Sequence, residues 1–474
     1  MAISLEEDRH HRRAVIFLLA AAVHRIYQDQ LTLVVEHSFG DGYYCHFAEV
    51  TPPSTEMLQK IQKAMEELRR QKPALAYLKA TPKHWRHLNA PRQYDQRPPL
   101  IKLGDFISPS YEFTTLDLKK VPTFELRPYD QGFLLRIGTE PNAPLPPFQD
   151  YPKLFQMMKQ HEQWGRILGV STVAELNEKV RGDGFKEMIW VAEGLHEKRI
   201  AALADEISDR KDVRFIFVAG PSSSGKTTFT KRLKIQLKVN GYNAIQISMD
   251  DYFLNRSEMT PLPDGTLDFE RLEALDIEAL QRDLNTLYSG QPIRERNYDF
   301  HSGRWYVTSR RIVLNHNDKV IIEGIHALNP VITQGLAKEG YFKIYISALT
   351  QLNIDNHHPV STSDSRLIRR LVRDHQFRGY SAEETLNRWQ SVRYGEMHNI
   401  FPFQESADAM FNSSLVYEHA VLKSFALPLL KEAPRSTLRD RLINLLSIFH
   451  GIPKKYVPGT SILREFIGES YFHY

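Results

Sequence analysis

The sequence predicts an α/β protein organised around a parallel β-sheet, and three observations carry that expectation. Continuously apolar runs, "VRFIFVAG", "KVIIEGI" and "YFKIYIS", read as strands buried on both faces. They alternate with segments of helical period, the pattern of strand–helix–strand units. The first of them ends at the opening glycine of "GPSSSGKTTF", residues 220–229, and helical periodicity begins directly after that loop.

The order of elements follows from local pattern. Residues 151–208 read as helices, with Ile189, Ala192, Leu195, Ile200, Leu203 and Ile207 near a 3.6 period. A strand at 213–218, a helix at 226–239 and a strand at 243–249 then form the first unit of the sheet. The proline-dense "EPNAPLPP", 140–147, is a stiff linker that sets an N-terminal domain apart. The expected division is therefore 1–139, a linker and helical connector at 140–208, the sheet domain at 209–430, and a helical tail at 431–474.

Composition narrows the function classes. The formal charge of +4 over 474 residues is too balanced to argue for nucleic acid or an acidic membrane. One cysteine, Cys45, cannot form an internal disulfide, which suits a reducing cytoplasm. "RRAVIFLLAAAV", 12–23, imitates a signal peptide, but Glu6, Glu7 and Asp8 put acid where basic residues belong. No run reaches the ~20 apolar residues that would span a bilayer.

Gly220, Gly225, Lys226 and Thr227 satisfy G-x-x-x-x-G-K-[ST]. That spacing turns backbone N–H groups toward nucleotide phosphates, gives the Lys to their outer oxygens and the Thr hydroxyl to Mg²⁺. The strand before it and the helix after it are the context the motif requires. The whole loop, with Ser222, Ser223, Ser224 and Thr228, is read as the nucleotide site, binding ATP and Mg²⁺.

The strand "AIQIS" runs into "MDDYF", bringing Asp250 and Asp251 to the carboxyl edge of the sheet. On an extended chain the two point to opposite sides, so one carboxylate faces the phosphates and can take a proton from an attacking hydroxyl. Glu323 ends another buried strand, where an acid can hold the water shell of Mg²⁺. Arg366, Arg369, Arg370 and Arg373 fall at i, i+3, i+4 and i+7 with Arg378 beyond, an arginine face expected to close over the transferring group as a lid.

Six segments in order, "GPSSSGKTT", "SMDDYF", "YDFHSGR", "IIEGIHALN", "RLIRRLVRDHQFRG" and "ADAMFNSSLVYE", make residues 213–430 resemble the uridine kinase and phosphoribulokinase family, in its long uridine-kinase-like branch. The resemblance implies a P-loop kinase that phosphorylates a nucleoside 5′-hydroxyl. By the same match Asp250 is the catalytic base, Tyr298 and Phe300 lie against the nucleobase, and Arg370, Arg373 and Arg378 serve phosphate or ribose. The pattern departs at "FERLEALD", where Glu270 stands in place of a ribose-gripping Asp, at Tyr380 in place of an Arg, at the offset of His301, and in the longer "TQLNIDNHHPVSTSDS" before the arginine face.

Residues 10–135, through "FLLAAAVHRIY", "FGDGYYCHF" and "EMLQKIQKAMEEL", resemble the second additional, editing-type α+β domain of threonyl-tRNA synthetases. That module's His-x-x-x-His is replaced by Arg13 and Phe17, and "LGDFISPS" lacks its Cys and His. No zinc site and no deacylase activity are expected, and His84 and His87 have no further ligands near them in sequence. "SILREFIGES" resembles the ending of the long branch and has the spacing of a segment docked on the kinase body.

The expected partner is a nucleoside or another small hydroxyl compound, with no membrane, nucleic acid disfavoured though tRNA stays open, and homo-oligomerisation open. Two rival readings are a nucleotide-driven switch and an RNA-linked regulator. The first is weakened because "NHND", 315–318, lacks a guanine reader's Lys and precedes its strand. The second rests on the synthetase-like module alone.

Overall fold

The computed structural model describes residues 5–71, 75–79, 81, 98–112, 114–261, 265, 267–350 and 352–473. Its centre is a five-stranded sheet in the spatial order Ala409–Asn412, Tyr341–Ser347, Phe215–Ala219, Asp318–Glu323, Asn243–Ser248, with every neighbouring pair parallel. The strand Ala409–Asn412 lies inside "ADAMFNSSLVYE", a segment whose pattern predicts no strand. Four residues are too few to show a period.

Both faces of the sheet are covered, which is why its inner strands Phe215–Ala219 and Tyr341–Ser347 read as near-continuous apolar runs. Ile216 and Val218 pack against one side, with helices Phe185–Asp209, Lys226–Val239, Thr362–Arg378 and Glu418–Glu432. Phe215, Phe217 and Ala219 pack against the other, with helix Ile277–Tyr288 and the first connector helix, Pro152–Leu168. The Glu405 carboxylate accepts from the N–H groups of Lys153 and Leu154, at 3.1 and 3.0 Å, capping that connector helix against the kinase body. The boundary expected at 430 falls inside Glu418–Glu432, because apolar positions continue on its buried face to Leu430.

The N-terminal region has its own core. Helix Leu5–Tyr27 is buried all round from Ala14 to Val23, so the run that imitates a signal peptide is the centre of a domain. It sits with helix Thr55–Arg70 and a four-stranded antiparallel sheet in the order Leu33–Phe39, Gly42–Phe47, Gly132–Ile137, Phe124–Tyr129. A three-stranded sheet, Ala76–Leu78, Leu100–Leu103 and Phe106–Pro109, completes it. Arg13 pairs with Glu112 at 3.1 Å and donates to Pro359 O, and Phe17 packs edge-on against Phe106. The space beside them is about 20 Å³, room for a water and too small for an aminoacyl group. His84 and His87 lie outside the described residues.

Ion pairs at one helix end help to tie this domain to the sheet domain. Arg9 bridges Glu112 at 2.6 Å and Asp364 at 2.7 Å, and Arg441 reaches the same Asp364 at 2.9 Å. Val35 N–H donates to Asn356 O at 2.8 Å, and Asn353 returns its Nδ2 to Val35 O at 3.1 Å. The inserted stretch before the arginine helix is therefore a docking point: its small hairpin, Asn353–Asp355 with His358–Pro359, meets the N-terminal sheet. Among the described residues no helix is long and apolar enough to cross a membrane.

Candidate functional site

The loop at 220–225 is shaped by two glycines. A Cβ at Gly220 would lie 2.2 Å from Ile346 O, so only glycine lets the chain leave its strand beside the neighbouring one. Gly225 adopts φ +82° at the entrance to helix Lys226–Val239, a left-handed conformation that side chains resist. Donors from outside hold the loop carbonyls: Arg366 reaches Ser222 O at 3.1 Å, Arg369 reaches Ser223 O at 3.4 Å, and the Ser413 hydroxyl donates to Ser224 O. Arg370 adds a 2.7 Å bond to Ser222 Oγ. Thus the loop is fixed before any phosphate arrives, with Lys226 bound only loosely, 3.4 Å from Pro221 O.

The arginine helix differs from the expected lid. Arg366 and Arg369 are fully buried, paired with Glu396 and Glu418, and their fixed partners make them pillars under the loop. The reason is the sheet's own depth: helix Thr362–Arg378 packs its Leu367, Ile368 and Leu371 into the core and takes both arginines with it. Arg370, Arg373 and Arg378 gather instead around Asp374, at 3.2, 2.7 and 3.8 Å. Three guanidinium groups on one carboxylate leave an excess of positive charge, suited to an anion.

Asp250 and Asp251 do not continue the strand. They sit in a one-turn helix, Met249–Tyr252, in which Ser248 Oγ accepts from the Asp250 N–H, so the alternation of an extended chain does not apply. Their roles still separate. Asp251 accepts from Tyr298 N–H at 3.3 Å, and burial raises its pKa to about 6. Asp250 stands open in the cleft, its pKa raised by the surrounding protein and held back by Lys226, Arg378 and Arg373.

Glu323 accepts from Thr227 Oγ1 at 3.0 Å and from Gln246 Nε2 at 3.1 Å. Burial lifts its pKa to about 7, with Lys226 opposing and the Glu465 charge adding. Thr227, Glu323 and nearby Asp250 offer hard oxygen ligands only, the donor set that Mg²⁺ takes.

Glu270 lies in the same electrostatic neighbourhood, its pKa raised to about 7 by burial and drawn down by Arg370 and Lys226. Its Oε2 is buried with no hydrogen-bond partner among the described residues. Gly395 is what admits it, since a Cβ there would come within 2.7 Å of Glu270 Cβ. Tyr298 and Phe300 meet at 5.0 Å edge to face, and Phe253 packs on both and on Phe269. Phe300 keeps 52% of its surface exposed, so this aromatic group has a free face.

Two contributors escaped sequence reasoning. Asp374, the centre of the arginine cluster, is one acidic residue in a basic run and carries no pattern of its own. Glu465 belongs to the tail that was expected to dock. Its carboxylate accepts from Thr228 N–H and Oγ1, while Ile462, Leu463, Phe466 and Ile467 bury beside the loop and the arginine helix.

Known proteins share this region. The family model "Phosphoribulokinase / Uridine kinase family" matches residues 215–418. A uridine kinase of Macrococcus caseolyticus is 29% identical over 195 residues, 41% of this chain and 84% of that protein. A uridine kinase of Staphylococcus carnosus is 30% identical over 199 residues, again 41% and 84%. Among solved structures, the phosphoribulokinase from Rhodobacter spheroides matches 43% of this chain and 70% of its own at 22% identity and a TM-score of 0.31.

Proposed function

This chain belongs to the phosphoribulokinase and uridine kinase family, and on that premise we propose that it transfers the γ-phosphate of ATP to a small hydroxyl acceptor, a nucleoside 5′-hydroxyl of the uridine or cytidine type above all. The observation that carries this reading is the buried, unpartnered Glu270 Oε2 beside Arg370, Lys226 and Asp250. An oxygen kept out of water without a donor suits an acceptor that brings hydroxyls. A nucleotide-hydrolysing switch has no use for it.

In the proposed reaction Lys226 and the loop amides hold the β- and γ-phosphates, and Asp250 orients the acceptor hydroxyl and takes its proton. The acceptor oxygen forms its bond to γ-phosphorus as the bond to the bridging oxygen of ADP breaks. Arg370, Arg373 and Arg378 stabilise the charge that develops on the transferring group. Thr227 and Glu323 would hold Mg²⁺, which neutralises phosphate charge when bound. Tyr298 and Phe300 supply apolar faces for a flat base.

The N-terminal domain, 1–139 in this reading, is a threonyl-tRNA-synthetase-like module without a metal site, joined through 140–208 to the kinase at 209–430 and its tail. Arg13 and Phe17, engaged in an ion pair and a ring contact where that module would carry histidines, support it. We place the protein in the cytoplasm on the strength of its single, buried Cys45.

Incubation with Mg·ATP and a panel of nucleosides, sugars and small alcohols, followed by mass spectrometry, tests the proposal. One phosphorylated acceptor with matching ADP is expected. ADP formed at the same rate without any acceptor would overturn it.

A further inference from the structure

The arginine helix, Thr362–Arg378, starts against the N-terminal domain and meets the phosphate loop one to two turns further on. Asp364, 1% exposed in its first turn, accepts from Arg9 of helix Leu5–Tyr27 at 2.7 Å and from Arg441 of helix Thr437–Ser447 at 2.9 Å. Arg9 also donates to Ser361 Oγ at 3.2 Å, and Arg13, one turn along the same helix, donates to Pro359 O at 3.3 Å. Glu112 pairs with both, at 2.6 and 3.1 Å. The N-terminal domain thus grips the arginine helix at its first turn.

The contacts to the loop begin two residues later. Arg366 reaches Ser222 O, Arg369 reaches Ser223 O and Arg370 reaches Ser222 Oγ, at 3.1, 3.4 and 2.7 Å. At about 1.5 Å of rise per residue, all three leave the helix within about 9 Å of Asp364. Hydrogen bonds of 3.1 and 3.4 Å have no slack, so a slide of about an ångström along the axis breaks them.

Polar contacts decide that axial position. Leu367, Ile368 and Leu371 hold the helix to the core through apolar packing, which is non-directional. Arg366 with Glu396 and Arg369 with Glu418 anchor it from the kinase side. Arg9 adds the hold of the other domain with a guanidinium used on both edges: Nε and Nη2 fork onto the two oxygens of Glu112, each at 2.6 Å, while Nη2 and Nη1 meet Asp364 Oδ2 and Oδ1 at 2.7 and 3.2 Å. A planar group matched to two carboxylates has little freedom to slide.

We propose that Arg9 is a positioning residue for the phosphate loop, through which the N-terminal domain sets the affinity of the kinase site for nucleotide. This rests on the reading of that loop as the nucleotide site. Held by Arg9, Asp364 fixes the height of the arginine helix and, with it, the three donors that Arg366, Arg369 and Arg370 give to the loop. Replacement of Arg9 leaves no buried charge alone, since Asp364 keeps Arg441 and Glu112 keeps Arg13.

The test measures ATP affinity and the nucleotide-free melting temperature of the full-length protein in the parent, Arg9→Met, Ser222→Ala and the double variant. Arg9→Met is expected to weaken ATP about 3- to 10-fold. Ser222→Ala removes the Arg370 bond directly and should weaken ATP about threefold. Changes at residues with no shared partner multiply, whereas here the double variant is expected to fall short of the product, because both release the same donor. Arg9→Lys, which keeps the charge, should recover most of the lost affinity. A lower melting temperature with ATP affinity within twofold of the parent would reduce the contact to adhesion between domains and overturn the proposal, as would a double variant at the full product. Arg9→Gln, which keeps a donor for one carboxylate, carries the same expectations if Arg9→Met does not fold. A parent that binds no ATP would overturn the reading of the loop itself, and this proposal with it.

Discussion

The Glu465 carboxylate holds Thr228 through two hydrogen bonds, accepting from its amide N–H at 3.0 Å and its hydroxyl at 2.8 Å. Thr228 is in the first turn of helix Lys226–Val239, where backbone N–H groups receive nucleotide phosphates. A tail carboxylate thus occupies ground that the nucleotide needs.

Glu465→Gln is expected to tighten ATP binding about 5- to 10-fold, because an anion leaves the phosphate site. The nucleotide-free protein should melt earlier, since an anion at a helix N-terminus contributes about 0.3–2 kcal/mol. A fluorescence titration with ATP and a melting curve without it separate the two effects. Unchanged affinity would mean that carboxylate and nucleotide share the loop.

The arginines of one helix should fail in different ways. Arg369→Met leaves Glu418 buried and unpaired and is expected to cost about 3–5 kcal/mol of stability. Arg373→Ala should leave the melting temperature within a few degrees and lower turnover about 10²- to 10³-fold, the loss seen when one donor to a developing anion is removed. Equal loss of stability in both variants would contradict the division into pillars and phosphate ligands.

How much of this was legible in sequence depended on whether function left a local pattern. The phosphate loop, its flanking strand and helix, and Glu323 at a strand end were readable because spacing alone dictates their geometry. The arginine face was read as a unit and divides in two, because i, i+3, i+4 spacing reports a shared side and says nothing of depth. Asp250 and Asp251 were separated on an extended-strand argument, and the structure separates them by a helical turn and by Asp251's bond to Tyr298. Glu465 and Asp374 depend on tertiary contact across the chain, which no local period records.

The carboxylates of the cleft give the stability a pH signature. Glu270 and Glu323 have pKa values raised from 4.5 to about 7. The folded protein therefore binds more protons than the unfolded chain between about pH 4.5 and 7, and the stability these groups contribute is full below that window and lost as pH rises through 7. Without nucleotide the melting temperature should fall between pH 5 and 8. Glu270→Gln should fall less and melt a few degrees above the parent at pH 8, while binding the acceptor several-fold more weakly. A variant whose melting curve tracks the parent at every pH would contradict a buried, proton-holding Glu270.

Mg²⁺ binding should titrate in the same window with the opposite sign, because a cation must displace the proton held by Glu323. Affinity measured by calorimetry is expected to rise about fivefold from pH 6 to pH 7, about tenfold by pH 8, and to level off above that. Glu323→Gln should abolish the slope. A pH-independent affinity would remove Glu323 from the metal site.

Asp250 carries the central claim, that the phosphoryl group is handed to an acceptor whose proton this carboxylate takes. The most direct test measures acceptor phosphorylation and ATP binding side by side in the parent and in Asp250→Asn. The account predicts a loss of about 10²- to 10⁴-fold in phosphorylated product with ATP affinity held within about twofold. Unchanged product formation in Asp250→Asn would contradict it.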